Sequence, residues 1–412
     1  MYKRFLLSFA ALTVLVLGSC SKDDAEKADG GNGDAAASTV IPANQEKFYL
    51  TAAEDLSGKI SDKTAGIKVL LRDSKYYAVG ERVLSVTFDA DKDIVGTYKD
   101  GVLTGTGKSV KVVWASDDPV NRPAVEHAPG AGEYGILCAP GDYSGKFTVV
   151  TSRYTYTFSG KSVKAEAGKT VSVALDFAAP DVQPTRKVGV MGDSISTFKG
   201  ELYSNDFSAF YPDSDPNCKA TDAATLAKAV NVKERTWWHM VIYDKMKHGK
   251  LDVNNSWSGT RVVHETKSGK VTGKSWNAGF VDRVDYFDDP DIILLHGGRN
   301  DVVHTSPMGD DYGWDLPIGQ IDVYSYKSAF NLLIKMLQNR YEGVQIIMIL
   351  GDMLYSPYLA PAKEVADHYH LPYVDFSGDK AKIEKCSGSH PTYPGFQFMA
   401  NKIYETCADY LP

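Results

Sequence analysis

Hydrophobic and polar positions alternate in two different ways along this chain. Between residues 45 and 178, short runs of β-branched and aromatic residues are separated by clusters of Gly, Asp, Asn and Ser, and several runs have a period of two. After residue 186, continuous apolar runs alternate with segments whose apolar residues recur every three or four positions. The first pattern predicts an all-β domain, and the second predicts an α/β domain with a parallel sheet.

The N-terminal region, residues 45–178, contains evenly spaced strand candidates that favour an antiparallel β-sandwich. These candidates are residues 48–51, 67–71, 83–88, 110–114, 146–150, 154–158 and 171–177. We find no cluster of chemically reactive residues in this region, so its expected role is spacing or binding. The run Pro140-Gly-Asp-Tyr-Ser-Gly and the strands after it resemble the fimbrillin-like β-sandwich modules.

The C-terminal region, residues 187–412, follows a Pro-containing linker at 179–186. We predict strands at 187–192, 251–256, 291–296, 344–350 and 371–376, and helices at 236–246, 325–341 and 394–411. The helical segments at 325–341 and 394–411 each carry one apolar stripe suited to packing on a sheet. Together these elements predict a doubly wound, flavodoxin-like fold with a five-stranded parallel sheet between two layers of helices.

The first 44 residues read as a targeting segment and a tether. Lys3 and Arg4 precede an apolar run that is too short to span a bilayer, and small residues lead directly into Cys20. This pattern resembles a bacterial lipoprotein signal at 1–19 with lipidation of Cys20; the alternative is a secretory signal with an incidental cysteine. Residues 20–44 are nearly free of apolar side chains and predict a disordered tether. The expected location is the bacterial outer membrane, lipid-anchored, facing the periplasm or the cell surface.

Composition limits the possible partners. The chain has 412 residues and a formal net charge of −7, without the basic stripe that nucleic-acid binding requires. The sequence indicates no cofactor, and no grouping of His, Cys and Asp has the spacing of a metal site. Besides Cys20, four cysteines remain that export can oxidise, and whether they are free thiols or form disulfides stays open. These are Cys138, Cys218, Cys386 and Cys407, with Cys386–Cys407 among the possible pairs.

Polar motifs follow four of the predicted strands. They are Gly192-Asp-Ser194, the run from Asn254 to Gly259, Gly298-Arg-Asn300-Asp301, and His390-Pro391 in the loop before the last helix. The carboxyl ends of parallel strands lie at one edge of a sheet, so we expect these residues to meet there. A serine needs a histidine base and donors for the oxyanion to act as a nucleophile, and this set contains both kinds of residue.

These four motifs, in this order, resemble those of the SGNH (GDSL) hydrolases, esterases and lipases with a flavodoxin-like fold, over residues 187–411. The resemblance implies that Ser194 is the nucleophile and His390 the general acid and base. It also implies an oxyanion hole made by the backbone N–H of Ser194, the backbone N–H of Gly259 and the side-chain amide of Asn300. The Gly-x-Ser-x-Gly elbow of the α/β-hydrolases is absent, because position 196 is serine.

The chain departs from the family pattern at position 387, where serine replaces the aspartate that commonly stands three residues before the histidine. A backbone carbonyl can orient His390 in its place, which gives a Ser-His dyad, the reading we favour. Alternatively, Asp375 at the end of the fifth strand reaches the imidazole as the third member of a triad. In the third reading, the domain has lost activity and binds without cleaving.

The sequence therefore predicts an exported, lipid-anchored serine esterase that hydrolyses carboxylic esters, with acylated carbohydrate as the favoured substrate. Aromatic residues in the long segment 200–235, and Trp257, Trp276 and Trp314, are candidates to stack on sugar rings, or else to pack in the core. A lipase or thioesterase of the same family is one alternative. The other is a non-catalytic surface protein that binds glycans or acts as an adhesin; the sequence predicts no oligomeric state.

Overall fold

A computed structural model describes residues 38–46, 60–72, 83–99, 102–113, 133–177, 179–270, 272–351 and 357–412. The predicted signal segment, Cys20, the tether through residue 37 and the strand candidate at 48–51 lie outside the described residues. Within the described part of the chain, no helix has the length and apolar character needed to cross a bilayer.

The N-terminal region is all β, as predicted, and its strands form three sheets within the described residues. The strands are β1 (Thr39–Ile41), β2 (Asn44–Glu46), β3 (Ala65–Arg72), β4 (Val83–Ala90), β5 (Val95–Lys99), β6 (Val102–Gly107), β7 (Ser109–Val113), β8 (Glu133–Cys138), β9 (Gly141–Thr151), β10 (Thr155–Ala165) and β11 (Thr170–Asp176). Their orders are β1-β5-β6, β10-β9-β4-β7-β2 and β11-β3-β8. Alternate side chains along these strands enter one buried core, where Phe88 and Phe147 stack at 4.3 Å.

Two expectations for this region were wrong. The sheets are not wholly antiparallel, because β2 pairs with β7 and β3 pairs with β11 in parallel. The tether predicted at 20–44 also extends too far along the chain, because β1 lies within its last residues and β2 begins at its final residue. β1 pairs with β5 through its backbone, and the side chain of Ile41 is buried in the core. The composition of residues 20–44 does not reveal these contacts.

The C-terminal region contains the predicted five-stranded parallel sheet. Its strands and two added hairpins are β12 (Arg186–Gly192), β13 (Gly249–Ser256), β14 (Thr266–Ser268), β15 (Ser275–Asn277), β16 (Ile292–His296), β17 (Gln345–Leu350), β18 (Tyr373–Asp375), β19 (Lys385–Ser387) and β20 (His390–Pro391). The sheet order is β13-β12-β16-β17-β18, which is the 2-1-3-4-5 order of flavodoxin-like folds. The strand order reverses between β12 and β16.

Helices cover both faces of this sheet. They are α1 (Ala223–Leu226), α2 (Trp237–His239), α3 (Arg299–Val303), α4 (Tyr326–Arg340), α5 (Leu359–His368) and α6 (Tyr393–Cys407). Ile293 and Leu295 of β16 face the α4 and α5 layer, whereas Ile292 and Leu294 face the α2 and α6 layer. This burial on both faces explains why the strands read as continuous apolar runs. The predicted helix at 236–246 is a short α-helical turn followed by a π-helix, Met240–Lys245.

The strand registers align the edge where polar motifs begin. Gly192 of β12 pairs with Ser256 of β13 on one side and with His296 of β16 on the other. The three loops that follow these strands therefore start at the same level of the sheet. They flank the point where the strand order reverses, which is where open α/β sheets bind their ligands.

The segment 179–186, predicted as a linker, is hydrogen-bonded to β10. Asp181 accepts hydrogen bonds from Ser159, and Arg186 already belongs to β12. The guanidinium of Arg186 donates to the hydroxyl of Tyr156 at 2.6 Å. β12 thus begins one residue earlier than the strand predicted at 187–192, and the domain boundaries stay a prediction.

Candidate active site

Ser194 stands at the end of β12, at the start of a short 3₁₀ turn, Ser194–Ser196. The carboxylate of Asp193 caps this turn by accepting a hydrogen bond from the N–H of Ile195 at 3.0 Å. Gly192 has no room for a Cβ, because the side chain of Ser196 packs directly against its Cα. These contacts fix a sharp change of direction and leave Ser194 half-buried at the edge of the sheet.

His390 reaches Ser194 across 196 residues of sequence. Its Nε2 lies 2.9 Å from the Oγ of Ser194, and its Nδ1 lies 3.3 Å from the carbonyl oxygen of Ser387. A carbonyl oxygen can only accept, so Nδ1 carries the proton and Nε2 is free to accept from the serine hydroxyl. The structure thus brings the two predicted residues together in the geometry of a Ser-His dyad.

Aromatic packing holds the imidazole plane. The ring of Phe210 stacks on His390 with centroids 3.5 Å apart and an interplanar angle of 1°. The hydroxyl of the next residue, Tyr211, donates to the carbonyl oxygen of Pro391 at 2.7 Å and fixes the loop that carries the histidine. The long segment 200–235 therefore holds His390 and its loop in place. The sequence alone did not predict this role.

The surroundings of His390 favour its neutral form. Burial lowers the pKa of His390 below its ordinary value of 6.5, and the positive charge of Arg299 lowers it further. The hydrogen bond to the carbonyl of Ser387 opposes this shift only in part. At neutral pH the imidazole is therefore ready to take a proton.

Asp375 does not reach His390, so the reading that makes it the triad acid is wrong. Its carboxylate bonds to the ammonium of Lys363 and accepts from the N–H of Ser377 at 2.7 Å. Lys363 lies in α5, so this ion pair directs the Asp375 side chain toward that helix. Among the described residues, the hydrogen-bond partner of the His390 Nδ1 is the backbone carbonyl of Ser387.

Gly259 lies in a loop that is tied to the nucleophile strand. The N–H of Trp257 donates to the carbonyl of Gly192 at 3.1 Å, and the N–H of Ser258 donates to the carbonyl of Ser208 at 2.8 Å. Gly259 itself has φ +75°, a left-handed conformation that other residues adopt at a cost. The glycine is therefore required for the path of this loop as well as for close approach of a substrate.

Asn300 contacts both the Gly259 loop and the turn that carries Ser194. It lies in the first turn of α3, after Gly298 with φ +91°. Its Nδ2 donates to the carbonyl of Thr260 at 2.9 Å, and its second N–H lies near the carboxylate of Asp193 at 3.4 Å. The amide nitrogen is thus held beside the residue that precedes Ser194.

The profile of the GDSL-like lipase/acylhydrolase family matches residues 186–407, more than half of the chain. The chain belongs to this family. The resemblance drawn from the four sequence motifs is thereby confirmed, as are the flavodoxin-like sheet and the assignment of the protein as an ester hydrolase. Curated proteins offer no match to this chain.

Several solved structures are similar to this GDSL-family chain. A chain described as a GDSL-like lipase from Bacteroides uniformis ATCC 8492 is 26% identical, with a TM-score of 0.45, over 55% of this chain and 97% of its own. One from Bacteroides ovatus ATCC 8483 is 25% identical, with a TM-score of 0.44, over 54% of this chain and 98% of its own. A family two carbohydrate esterase from Clostridium thermocellum, in complex with cellohexaose, is 14% identical, with a TM-score of 0.35, over 91% and 99% of the two chains.

Beneath the GDSL motifs lies Arg283, a fully buried cation that sequence reasoning missed. Its guanidinium donates to the carbonyl oxygens of Gly192, Asn255 and Ala278 and to the hydroxyl of Thr260. Burial lowers the pKa of Arg283 to about 10, so the group stays charged at neutral pH. This cation joins the nucleophile strand to the Gly259 loop from below. Its signal in the sequence was slight, since an arginine is ordinarily exposed.

The aromatic residues near the sheet edge divide into buried and exposed groups. Trp257 is buried and stacks on Phe207 at 4.2 Å, so it packs in the core rather than facing a substrate. Tyr203 is 46% exposed and stacks on Tyr286 at 4.6 Å. Trp314 stacks on His368 at the end of α5, apart from the dyad.

The cysteines and the acidic groups do not form another site in the described residues. Cys138, Cys218, Cys386 and Cys407 are free thiols, so the Cys386–Cys407 pair is not formed. In the part of the chain that the structure covers, no three His, Cys, Asp or Glu side chains are grouped in a way that would hold a metal ion.

Proposed function

We propose that this ester hydrolase works through an acyl-enzyme on Ser194, with His390 as the side chain that moves the proton. The observation that supports this most directly is the 2.9 Å contact between His390 Nε2 and Ser194 Oγ, with Nδ1 held by a carbonyl. The hydroxyl proton passes to Nε2 as Oγ attacks the ester carbonyl carbon. The imidazolium then returns this proton to the departing alcohol oxygen.

The second half of the cycle uses the same groups. A water molecule loses a proton to His390 as its oxygen attacks the acyl carbon. The bond from that carbon to Oγ then breaks, the imidazolium returns the proton to Oγ, and the carboxylic acid leaves. In both halves the carbonyl oxygen becomes negatively charged. The N–H groups of Ser194 and Gly259 and the amide of Asn300 stabilise this charge, and the long contact of Asn300 with Asp193 is the one that a substrate oxygen would replace.

We further propose that the substrate is an acylated carbohydrate. Tyr203 is an exposed ring backed by Tyr286, and its N–H donates to the carbonyl of Asn254 at 2.9 Å, in the strand that leads to Gly259. An exposed aromatic face beside this strand suits the apolar face of a sugar ring. The rings of Phe207 and Trp257 are buried, so they do not add an open apolar surface for a long acyl chain.

The location proposed for this enzyme is the bacterial outer membrane, where a lipid on Cys20 anchors the chain. The support is the sequence pattern at residues 1–20, an apolar run that ends in small residues and a cysteine. An enzyme held at the membrane by a tether would meet polymeric glycans outside the cytoplasm, which agrees with the substrate proposed above.

The test compares the full-length protein with Ser194→Ala and His390→Ala on p-nitrophenyl acetate, with His304→Ala as the control for loss of an exposed histidine. We expect a loss of roughly 10³-fold or more in kcat for both active-site variants and none for the control. Equal rates in all four proteins would favour a non-catalytic glycan binder. Acetate release from an acetylated oligosaccharide should exceed hydrolysis of a long-chain p-nitrophenyl ester; the reverse preference would indicate a lipase.

A further inference from the structure

Lys267 lies on the β14–β15 hairpin, beside the loop that carries Gly259. Its register partner on β15 is Trp276, and its side chain is half-buried. The ammonium donates to the carbonyl oxygen of Ser258 at 2.7 Å. A Cβ built on Gly259 would lie only 2.9 Å from the same Nζ, so the cation packs directly against this glycine.

The carbonyl of Ser258 and the N–H of Gly259 belong to one planar peptide unit. In a trans peptide these two groups point in opposite directions, so a bond that holds the carbonyl also sets the direction of the N–H. The unit before it is fixed as well, because the N–H of Ser258 donates to the carbonyl of Ser208. Lys267 therefore controls the orientation of the peptide that contributes Gly259 to the oxyanion hole.

We propose that Lys267 is a positioning residue that orients and polarises the Ser258–Gly259 peptide toward the oxyanion. This rests on the proposed function, in which Gly259 is one of the oxyanion donors. A cation bound to a carbonyl withdraws electron density from the peptide, which makes its N–H a stronger donor. The effect grows as negative charge develops, so it favours the transition state over the bound ester.

The charge of Lys267 is not neutralised by an ion pair within the described residues. Glu265 is the carboxylate that acts on it most strongly, but both oxygens of Glu265 bond to Arg261. Burial is the main cause that lowers the pKa of Lys267 from its usual 10.5. The hydrogen bond to the carbonyl of Ser258 is therefore the contact that compensates the half-buried ammonium for its lost hydration.

The experiment compares Lys267→Met and Lys267→Arg with Lys270→Met, an exposed lysine on the same hairpin. Hydrolysis of p-nitrophenyl acetate and inhibition by phenylboronic acid, which forms a tetrahedral adduct on the serine, are measured for each. Removing a direct oxyanion donor costs roughly 10²- to 10³-fold, so an indirect partner should cost about tenfold in kcat. We expect this loss in Lys267→Met with KM nearly unchanged, a parallel weakening of the boronate, partial recovery in Lys267→Arg and no change in Lys270→Met.

Other outcomes contradict the proposal. It is wrong if Lys267→Met keeps kcat and boronate affinity within twofold, or if KM alone rises. Thermal denaturation checks that each variant is folded, and Lys267→Gln replaces Lys267→Met if the latter is not. Failure of the proposed function looks different, since Ser194→Ala would then retain the parent activity whatever Lys267 does.

Discussion

Asp375→Asn is the substitution that separates a dyad from a triad in this enzyme. When an aspartate orients the catalytic histidine, its change to asparagine lowers kcat by about 10⁴-fold, or roughly 5 kcal/mol. Here the Asp375 carboxylate bonds to Lys363 and to the N–H of Ser377 instead. Asparagine can still accept from Ser377, and the partly exposed ion pair is worth at most about 1 kcal/mol. We expect kcat/KM within threefold of the parent, with a slight fall in Tm.

In the same assay, Phe210→Leu should lower activity, in contrast to Asp375→Asn. The imidazole of His390 is held by a long neutral hydrogen bond of 3.3 Å and by the Phe210 stack at 3.5 Å. Each is worth about 1 kcal/mol, so loss of the ring should lower kcat about three- to tenfold, whereas Phe210→Tyr should keep it.

A loss of 10³-fold or more in Asp375→Asn, measured on p-nitrophenyl acetate, would refute the dyad.

Three further predictions concern the pH dependence of activity and the location of the protein. The profile of kcat/KM should rise with pH through a midpoint below 6.5, because His390 acts as a base only when neutral and its pKa is lowered. Arg299→Gln should move this midpoint upward by removing a positive charge; a downward move would contradict the assignment of His390 as the base. In cells, Cys20→Ser should release the protein from the membrane fraction, and unchanged fractionation would exclude lipidation at that residue.

The sheet was predictable because its strands are buried on both faces. The apolar runs at 187–192, 291–296 and 344–350 differ from the observed strands by at most one residue at an end. Ser194 and His390 were predictable for a related reason, since their motifs follow strands whose carboxyl ends must share an edge. The local sequence pattern is therefore sufficient to predict a strand and the residues that follow its carboxyl end.

Other features depend on contacts between distant segments and were not predictable. Phe210 meets His390 only after the segment 200–235 folds over the last loop. Arg283 reaches under the nucleophile strand from a turn with no motif of its own. The β14–β15 hairpin is short and polar, without the alternation that marks a strand, so Lys267 carried no signal. The role considered for Asp375 was wrong because strand order predicts the edge of the sheet at which this residue lies but not the direction of its side chain.

The role proposed for Lys267 would explain how this site works without an aspartate beside His390. An aspartate beside His390 would raise its pKa and stabilise the imidazolium, while Arg299 has the opposite effect on the histidine. In the role proposed for it, the positive charge of Lys267 against the Ser258–Gly259 peptide favours negative charge on the substrate oxygen. One cation, Arg299, thus weakens the base, while a different one, Lys267, supports the oxyanion hole. Catalysis in this enzyme should therefore depend more on the oxyanion hole than on the strength of the base, and oxyanion-side substitutions should be costlier than changes at Asp375.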